Sequence, residues 1–313
     1  MLQHTVPTPY LVGEVHFYSA ELNGALALFD AGPPTPEGEQ ALTDSVDLGR
    51  VKYLFVTHCH VDHYGLANHV LRNSSAEVYI PRLDAIKFAR HADRMGCMGE
   101  LLGRYGFDAR FVRELRESFD RHKVFPTIPE RYRIVEESPE LKGLGVDWLA
   151  CPGHSQSDLV YLVGGFAVTG DLLLRNIFQA PLLDINLETF ADRFRNYDAY
   201  CASLAKLVRL RGYRIMPGHR ESVGGVDEAI LFYVTTLLER SVKLLPFRGL
   251  AVNQIVERLF QGRLVDPFLV YLKVSEIVFM LDFLEDPALL RTSLEGIGLF
   301  DQVAELFMTV AKQ

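Results

Sequence analysis

No stretch of this chain approaches the ~18 uninterrupted apolar residues of a membrane-spanning helix, so no membrane span is expected in its 313 residues. The opening Met1-Leu-Gln-His-Thr-Val-Pro7 has neither the basic start nor the apolar core of a secretory signal. Cysteine is scarce. The four present, Cys59, Cys97, Cys151 and Cys201, show no disulfide-framework spacing, and with the missing signal they make a cytoplasmic location the expectation. A surplus of positive charge is lacking too: Lys and Arg number 32 against 40 Asp and Glu, a formal net charge of -8. Binding a polyanion generally takes a basic patch or stripe, so nucleic acid is disfavoured as a partner. The one basic-rich stretch, residues 104–123, alternates with Glu114, Glu117 and Asp120 and reads as a solvated helix face with ion pairs. Within it Arg110, Arg113 and Arg116 are the candidates for meeting an anionic substrate tail. Core material, by contrast, is ample. With 49% hydrophobic and 23% charged residues the chain reads as globular, either one large domain or one domain with an appendage.

The densest chemical signal is Thr57-His-Cys-His-Val-Asp-His-Tyr-Gly65, which places His58, His60, Asp62 and His63 within six positions. Residues 51–56 before it read as a buried strand, and residues 65–72 after it as a short helix, so these side chains lie on a strand-to-helix loop. There His58 and His60 can converge on one ion while Asp62 and His63 turn toward a second. Neutral imidazole and carboxylate suit zinc, iron or manganese. Three further motifs stand where apolar runs end: Cys151-Pro-Gly-His154 after residues 144–150, Thr169-Gly-Asp171 after 166–168, and Met216-Pro-Gly-His219 after 213–215. Glycine next to each lets the backbone turn closely around an ion.

In this combination the chain resembles the metallo-β-lactamase superfamily, whose His-x-His-x-Asp-His motif is followed by a distant His, an Asp and a last His in this order. The resemblance covers residues 10–225. It implies that His58, His60 and His154 hold one metal, that Asp62, His63 and His219 hold the other, and that Asp171 bridges them. It also implies a catalytic part for Asp62 and Asp171. Two divalent transition metals are expected, zinc first, with iron or manganese as alternatives. The segment Ala25-Leu-Ala-Leu-Phe-Asp-Ala-Gly32 resembles the family's first strand pair, whose Asp orients the metal-ligand loop, and this makes Asp30 a candidate for that part. His60 stands where flavodiiron relatives have Glu, His63 where one subclass of zinc β-lactamases has Arg, and Asp171 is not Cys. These choices are similar to the glyoxalase II, lactonase and nuclease branches and count against antibiotic hydrolysis. The remaining histidines His4, His16, His69, His91 and His122 read as structural or surface residues, His16 being the one nearest the expected site. Cys59 and Cys151, beside ligands, read as small buried side chains.

The alternation of patterns fits the αββα sandwich that the resemblance implies, an α/β fold. Strands near residues 10–30 turn at Asn23-Gly24, and residues 159–163 and 166–169 form a second hairpin about Gly164-Gly165. Helix is expected over 82–91 and to dominate 187–210. Residues 92–128 read as a helical insertion in which Asp108 caps a helix over 109–123, and Phe111, Val112, Leu115 and Phe119 share its apolar face. After residue 225 the pattern is helical over 226–245, 251–260, 267–284 and 298–312, with breaks at 246–249 and 285–287. The expected division is a metallo-β-lactamase-fold domain at 1–225 and an all-helical appendage at 226–313.

The function expected from these residues is dinuclear metal hydrolysis of a small acyl substrate, a thioester or ester first and a lactone next. A metal-bridging hydroxide attacks the carbonyl. Tyr64 is a candidate hydrogen-bond donor, and no clustered lysines and arginines mark a glutathione site. The alternatives are a phosphodiesterase or ribonuclease using the same metals, and a non-catalytic metal-binding regulator acting through the helical tail. The tail and insertion are expected to roof the site with apolar side chains, to form a homodimer contact, or to offer a partner surface.

Overall fold

The computed structural model describes residues 1–10, 13–125 and 127–311; the expected strand residues Leu11 and Val12, Pro126 of the insertion, and the end of the last helix at Lys312 lie outside these. Strands β1 (Leu2–Pro7), β2 (Glu14–Leu22), β3 (Ala25–Phe29), β4 (Val51–Phe55), β5 (Glu77–Ile80) and β6 (Arg133–Ile134) form one sheet in that spatial order. The β1–β2–β3 pairings are antiparallel and those from β3 to β6 parallel. A second sheet takes the order β10-β9-β8-β7, from β7 (Asp147–Ala150), β8 (Leu159–Val163), β9 (Phe166–Gly170) and β10 (Arg214–Pro217), with β9 and β10 parallel. Both expected hairpins are present, and the left-handed backbone they need is seen at Asn23 and Gly24 (φ 50° and 82°) and at Gly164 and Gly165 (φ 51° and 87°). β1 adds an edge strand that the sequence reading did not anticipate.

The sheets face each other across an aromatic layer. Phe55 lies 5.2 Å from the Phe29 ring and 5.6 Å from that of Tyr161, whose hydroxyl donates across the sandwich to the Val56 carbonyl at 2.8 Å. Outside the first sheet, Leu28, Leu54 and Val78 pack with Leu42, Leu66 and Val70 from the adjoining helical stretch. The outer face of the second sheet carries a larger core. Val160, Ala167 and Ile215 share one buried cluster with Leu101 and Leu115 of the insertion and with Tyr233, Val274, Phe279 and Phe307 of the C-terminal helices. The two sheets flanked by helices are the αββα arrangement.

Three helical details differ from expectation. Residues 187–195 are a loop, and helix runs only over Asn196–Leu207 with a 3-10 turn at Val208–Leu210. Asn186 is the cause: its side-chain oxygen accepts from the backbone of Glu188 at 2.9 Å and Thr189 at 3.1 Å, a local turn that competes with helix. The break expected at 285–287 is present at Asp286, between the helix Pro267–Glu285 and a helix over Pro287–Ile297 that was not expected. Asp286 accepts from the Leu289 amide and Pro287 occupies the first turn, where its missing N–H costs nothing. The expected last helix is a 3-10 turn at Phe300–Gln302 followed by Ala304–Ala311. The insertion helix is as expected, with Asp108 accepting from the Phe111 amide at 2.8 Å to cap Ala109–Arg121. Among the described residues no helix is long and apolar enough to cross a membrane.

Candidate metal centre

Parallel pairing of β3 with β4 and of β9 with β10 puts the carboxyl ends of all four strands on one rim of the sandwich, and the loops leaving that rim carry the candidate ligands. Asp30 follows β3, the His58–His63 cluster follows β4, Asp171 follows β9 and His219 follows β10, while His154 arrives on the loop after β7. All seven sequence-predicted side chains are brought together. Ligand-type atoms lie within 4.8 Å of one another in the groups His58–His60–His154, His58–His63–Asp171 and Asp62–His63–His219.

Hydrogen bonds behind the imidazoles set which nitrogen faces inward. His154 Nδ1 donates to the Ala180 carbonyl at 2.8 Å and His219 Nδ1 to the Glu14 carbonyl at 2.7 Å. His63 Nδ1 donates to Asp30 Oδ2 at 2.8 Å. Thr57 gives its hydroxyl hydrogen to the same carboxylate at 2.8 Å and so accepts from His58 Nδ1 at 3.1 Å. Each Nε2 is left with its lone pair toward the centre, the tautomer a metal requires. Those of His58, His63 and His219 are buried with no hydrogen-bond partner, as is Asp171 Oδ1, an arrangement too costly for ordinary core polar atoms. His60 brings Nδ1 to 3.0 Å from His154 Nε2. The donor set therefore fits two divalent transition-metal ions.

Asp171 stands between the two groups. Its Oδ2 lies 3.6 Å from His154 Nε2, whereas Oδ1 lies 3.3 Å from His63 Nε2 and 3.2 Å from His219 Nε2. Asp62 reaches His219 Nε2 with Oδ2 at 3.4 Å. Burial opposes charge on His219, but Asp171 and Asp62 outweigh it and raise the imidazole to about 10, and Asp171, despite its own burial, is held well below the usual carboxylate range by His219 and His63. Burial and then the neighbouring imidazoles push His58 and His60 well down.

Close packing holds the rim. A Cβ on Gly218 would stand 2.6 Å from His63 Cε1 and 2.7 Å from Asp171 Oδ1, so only glycine lets the last ligand loop pass behind the centre. His16, read as structural, anchors that loop: its amide donates to the Gly218 carbonyl at 2.7 Å and its Nε2 to the Arg220 carbonyl at 2.6 Å. Asp30 is clamped between the Thr57 amide at 2.8 Å and the His63 ring. Asp30→Asn, which replaces an acceptor with an amide, is expected to weaken metal affinity about 10–100-fold, read by chelator competition, with the melting curve of the metal-free protein little changed. Equal affinity in that variant would remove Asp30 from the centre.

The centre opens on a cavity of about 620 Å³ whose walls include His60, Asp62, His154 and Asp171. Phe119 and His122 of the insertion and Phe268, Tyr271 and Leu272 of the helix Pro267–Glu285 supply the roof. The two are latched together, with Ser118 Oγ donating to Asp266 at 2.9 Å and Phe119 packed 5.5 Å from Tyr271. Phe111 and Leu115, expected to line the cavity, pack into the large core instead, because the apolar stripe of their helix lies against the helices His91–Arg104 and Pro267–Glu285. Tyr64, the expected donor, is also in the core against Phe88, 5.3 Å away. Tyr10 lines the cavity in its place, and burial followed by the nearby Asp62 raises its hydroxyl to about 12, so that it stays a donor at neutral pH. Cys59 and Cys151 are buried, and burial holds both thiols protonated, the latter up to about 12, as expected for packing residues.

Comparison with known proteins agrees with this geometry. The model of the metallo-beta-lactamase superfamily matches residues 12–219. The chain is 28% identical over 324 residues to the "Probable metallo-hydrolase YqjP" of Bacillus subtilis (strain 168), covering 93% of this chain and 94% of that one. Among solved structures, a beta-lactamase domain protein from Burkholderia ambifaria superposes with a TM-score of 0.70 at 20% identity, over 90% of this chain and 86% of the other. The metallo-beta-lactamase family protein TTHA1429 from Thermus thermophilus does so with 0.64 at 21% identity, over 92% and 93%. Ligand motifs, sandwich and family match coincide, and the chain belongs to the metallo-beta-lactamase superfamily.

Proposed function

We propose that the chain is a dinuclear metal-dependent hydrolase of small acyl substrates, thioesters or esters first and lactones next. The observation that carries this is Asp171, whose two carboxylate oxygens face different imidazole groups, the placement a bridging ligand needs. Membership of the superfamily and likeness to a probable metallo-hydrolase support hydrolysis as the reaction class. His58, His60 and His154 would hold one ion, Asp62, His63 and His219 the other, with Asp171 shared. Zinc fits this donor set, and iron or manganese fit it as well. Such a pair supplies a hydroxide at neutral pH and polarises a carbonyl. The chain's own residues do the rest. Asp62, in the cavity wall, accepts a hydrogen bond from the attacking water and so aims it, and Tyr10 offers a hydroxyl to the substrate. The roof of Phe119, Phe268 and Leu272 excludes bulk water and receives the acyl chain.

A panel of acyl thioesters, lactones and phosphodiesters, run with elemental analysis, tests the reading. A phosphodiester turned over in preference to every acyl substrate would replace it with the nuclease alternative, and a chain that binds metal yet turns over nothing would favour the regulator. Within a homologous series of acyl thioesters kcat/KM should climb with chain length. Burial of a methylene is worth about 0.8 kcal/mol, or roughly fourfold per carbon, until the cavity is full. A flat series contradicts the apolar roof.

A further inference from the structure

We infer that Arg94 forms an anion subsite in the cavity wall and that the acyl chain of the substrate ends in a carboxylate. That substrate class presupposes the acyl-hydrolase reading, whereas the subsite itself does not. Arg94, on the helix His91–Arg104, is only 6% exposed and lines the same cavity as Asp62 and Asp171. A guanidinium usually meets a carboxylate through two nitrogens in a fork. Here a single nitrogen does that work: Nε lies 2.9 Å from both oxygens of Asp184, and Nη1 is buried with no partner. Asp184 has little capacity left, since Oδ1 also accepts from the Ile185 amide at 2.8 Å. A buried N–H of a permanent cation without an acceptor is costly, and an oxygen ligand in the cavity removes that cost.

A carboxylate answers the unpaired N–H of a permanent cation more strongly than a neutral acceptor does. The other buried cation of this wall, Lys87, is already paired with Asp84, which leaves Arg94 as the group with an open N–H. Asp184 already neutralises part of the local charge, which suits a single carboxylate better than a phosphate dianion. The subsite is also tied to the reacting centre by one segment of backbone. The ligand His154 donates to Ala180 and accepts from the Leu182 amide at 2.9 Å, and Asp184 follows directly. Four residues span at most about 14 Å when extended, so an acyl chain of short to medium length bridges the two ends. None of the three insertion arginines that seemed candidates for this part lines the cavity: Arg110 pairs with Glu114 at 2.8 Å, Arg116 donates to the Met95 carbonyl at 2.8 Å, and Arg113 is exposed.

The test compares hexanedioate with hexanoate and 6-amino-6-oxohexanoate as calorimetric ligands of the metal-loaded protein. Each carries one carboxylate for the ions and differs at the far end. The wild type should bind the diacid about tenfold or more tighter than either of the others, as a charged hydrogen bond implies. Arg94→Met alone strands Asp184, so the reading variant is Arg94→Met with Asp184→Leu, which removes the pair together and should bring the ratio to about one; Arg94→Lys, which keeps the charge, should retain part of it. No preference for the diacid in the wild type, or the same preference in the paired variant, overturns the subsite. A preference that disappears in the paired variant upholds the subsite even where no thioester, ester or lactone is hydrolysed, an outcome that sinks the acyl-hydrolase reading alone. Turnover of thioesters with no such preference does the reverse.

Discussion

Asp171→Ala should leave a folded chain with one tightly held ion or none, in place of about two, and turnover reduced at least about 100-fold. Even a partner one bond removed from a metal is worth about 10–100-fold, and Asp171 faces both halves of the centre directly. The loss should appear in metal content as well as in rate, because the imidazoles of His63 and His219 lose the carboxylate that balances them. The sandwich should survive, since its interior is built from Phe29, Phe55 and Tyr161 and not from the rim. Elemental analysis with circular dichroism on the same sample separates the two effects. Unchanged turnover, with two ions still bound, would sink the assignment.

Ending the chain at residue 225 is expected to abolish cooperative folding altogether. The cut strips Tyr233, Leu237, Val274, Phe279, Phe283 and Phe307 from a core they share with Val160, Ala167, Ile215 and Leu204. Each large apolar side chain that loses its burial costs about 1.5–3 kcal/mol, while a whole domain is stable by only about 5–15 kcal/mol. Half a dozen such losses, about 9–18 kcal/mol, are as large as that whole margin. Calorimetry of residues 1–225 should show no cooperative transition, and the fragment should aggregate. A sharp transition near that of the full chain would make residues 226–313 a separate folding unit.

The rim was legible because its chemistry is local. Histidine and aspartate next to glycine at the ends of apolar runs carry a metal signal at each site independently, and Asp30 follows its strand in the same manner. Asn23-Gly24 and Gly164-Gly165 disclose their turns through backbone geometry that few other residues adopt. Legibility faded where neighbours far apart in sequence decide the outcome. A stripe of Phe111, Leu115 and Phe119 announces an apolar helix face without saying what it faces, and only Phe119 reached the cavity. Asp286-Pro287 is ambiguous between stop and start until the following residues pack. The pairing of Arg94 with Asp184, and the anchoring of the His219 loop by His16, join residues 90 and 204 positions apart, with no trace in either local sequence.

The seven inward-facing side chains hang from turns at the ends of sheet strands, whereas the roof of the cavity comes from two helices outside both sheets, Ala109–Arg121 and Pro267–Glu285. Reaction and diet are thus written in different parts of the chain. Drift in the roof can retune which substrate enters while the rim keeps its chemistry, and relatives that share every rim residue can have parted ways in what they consume.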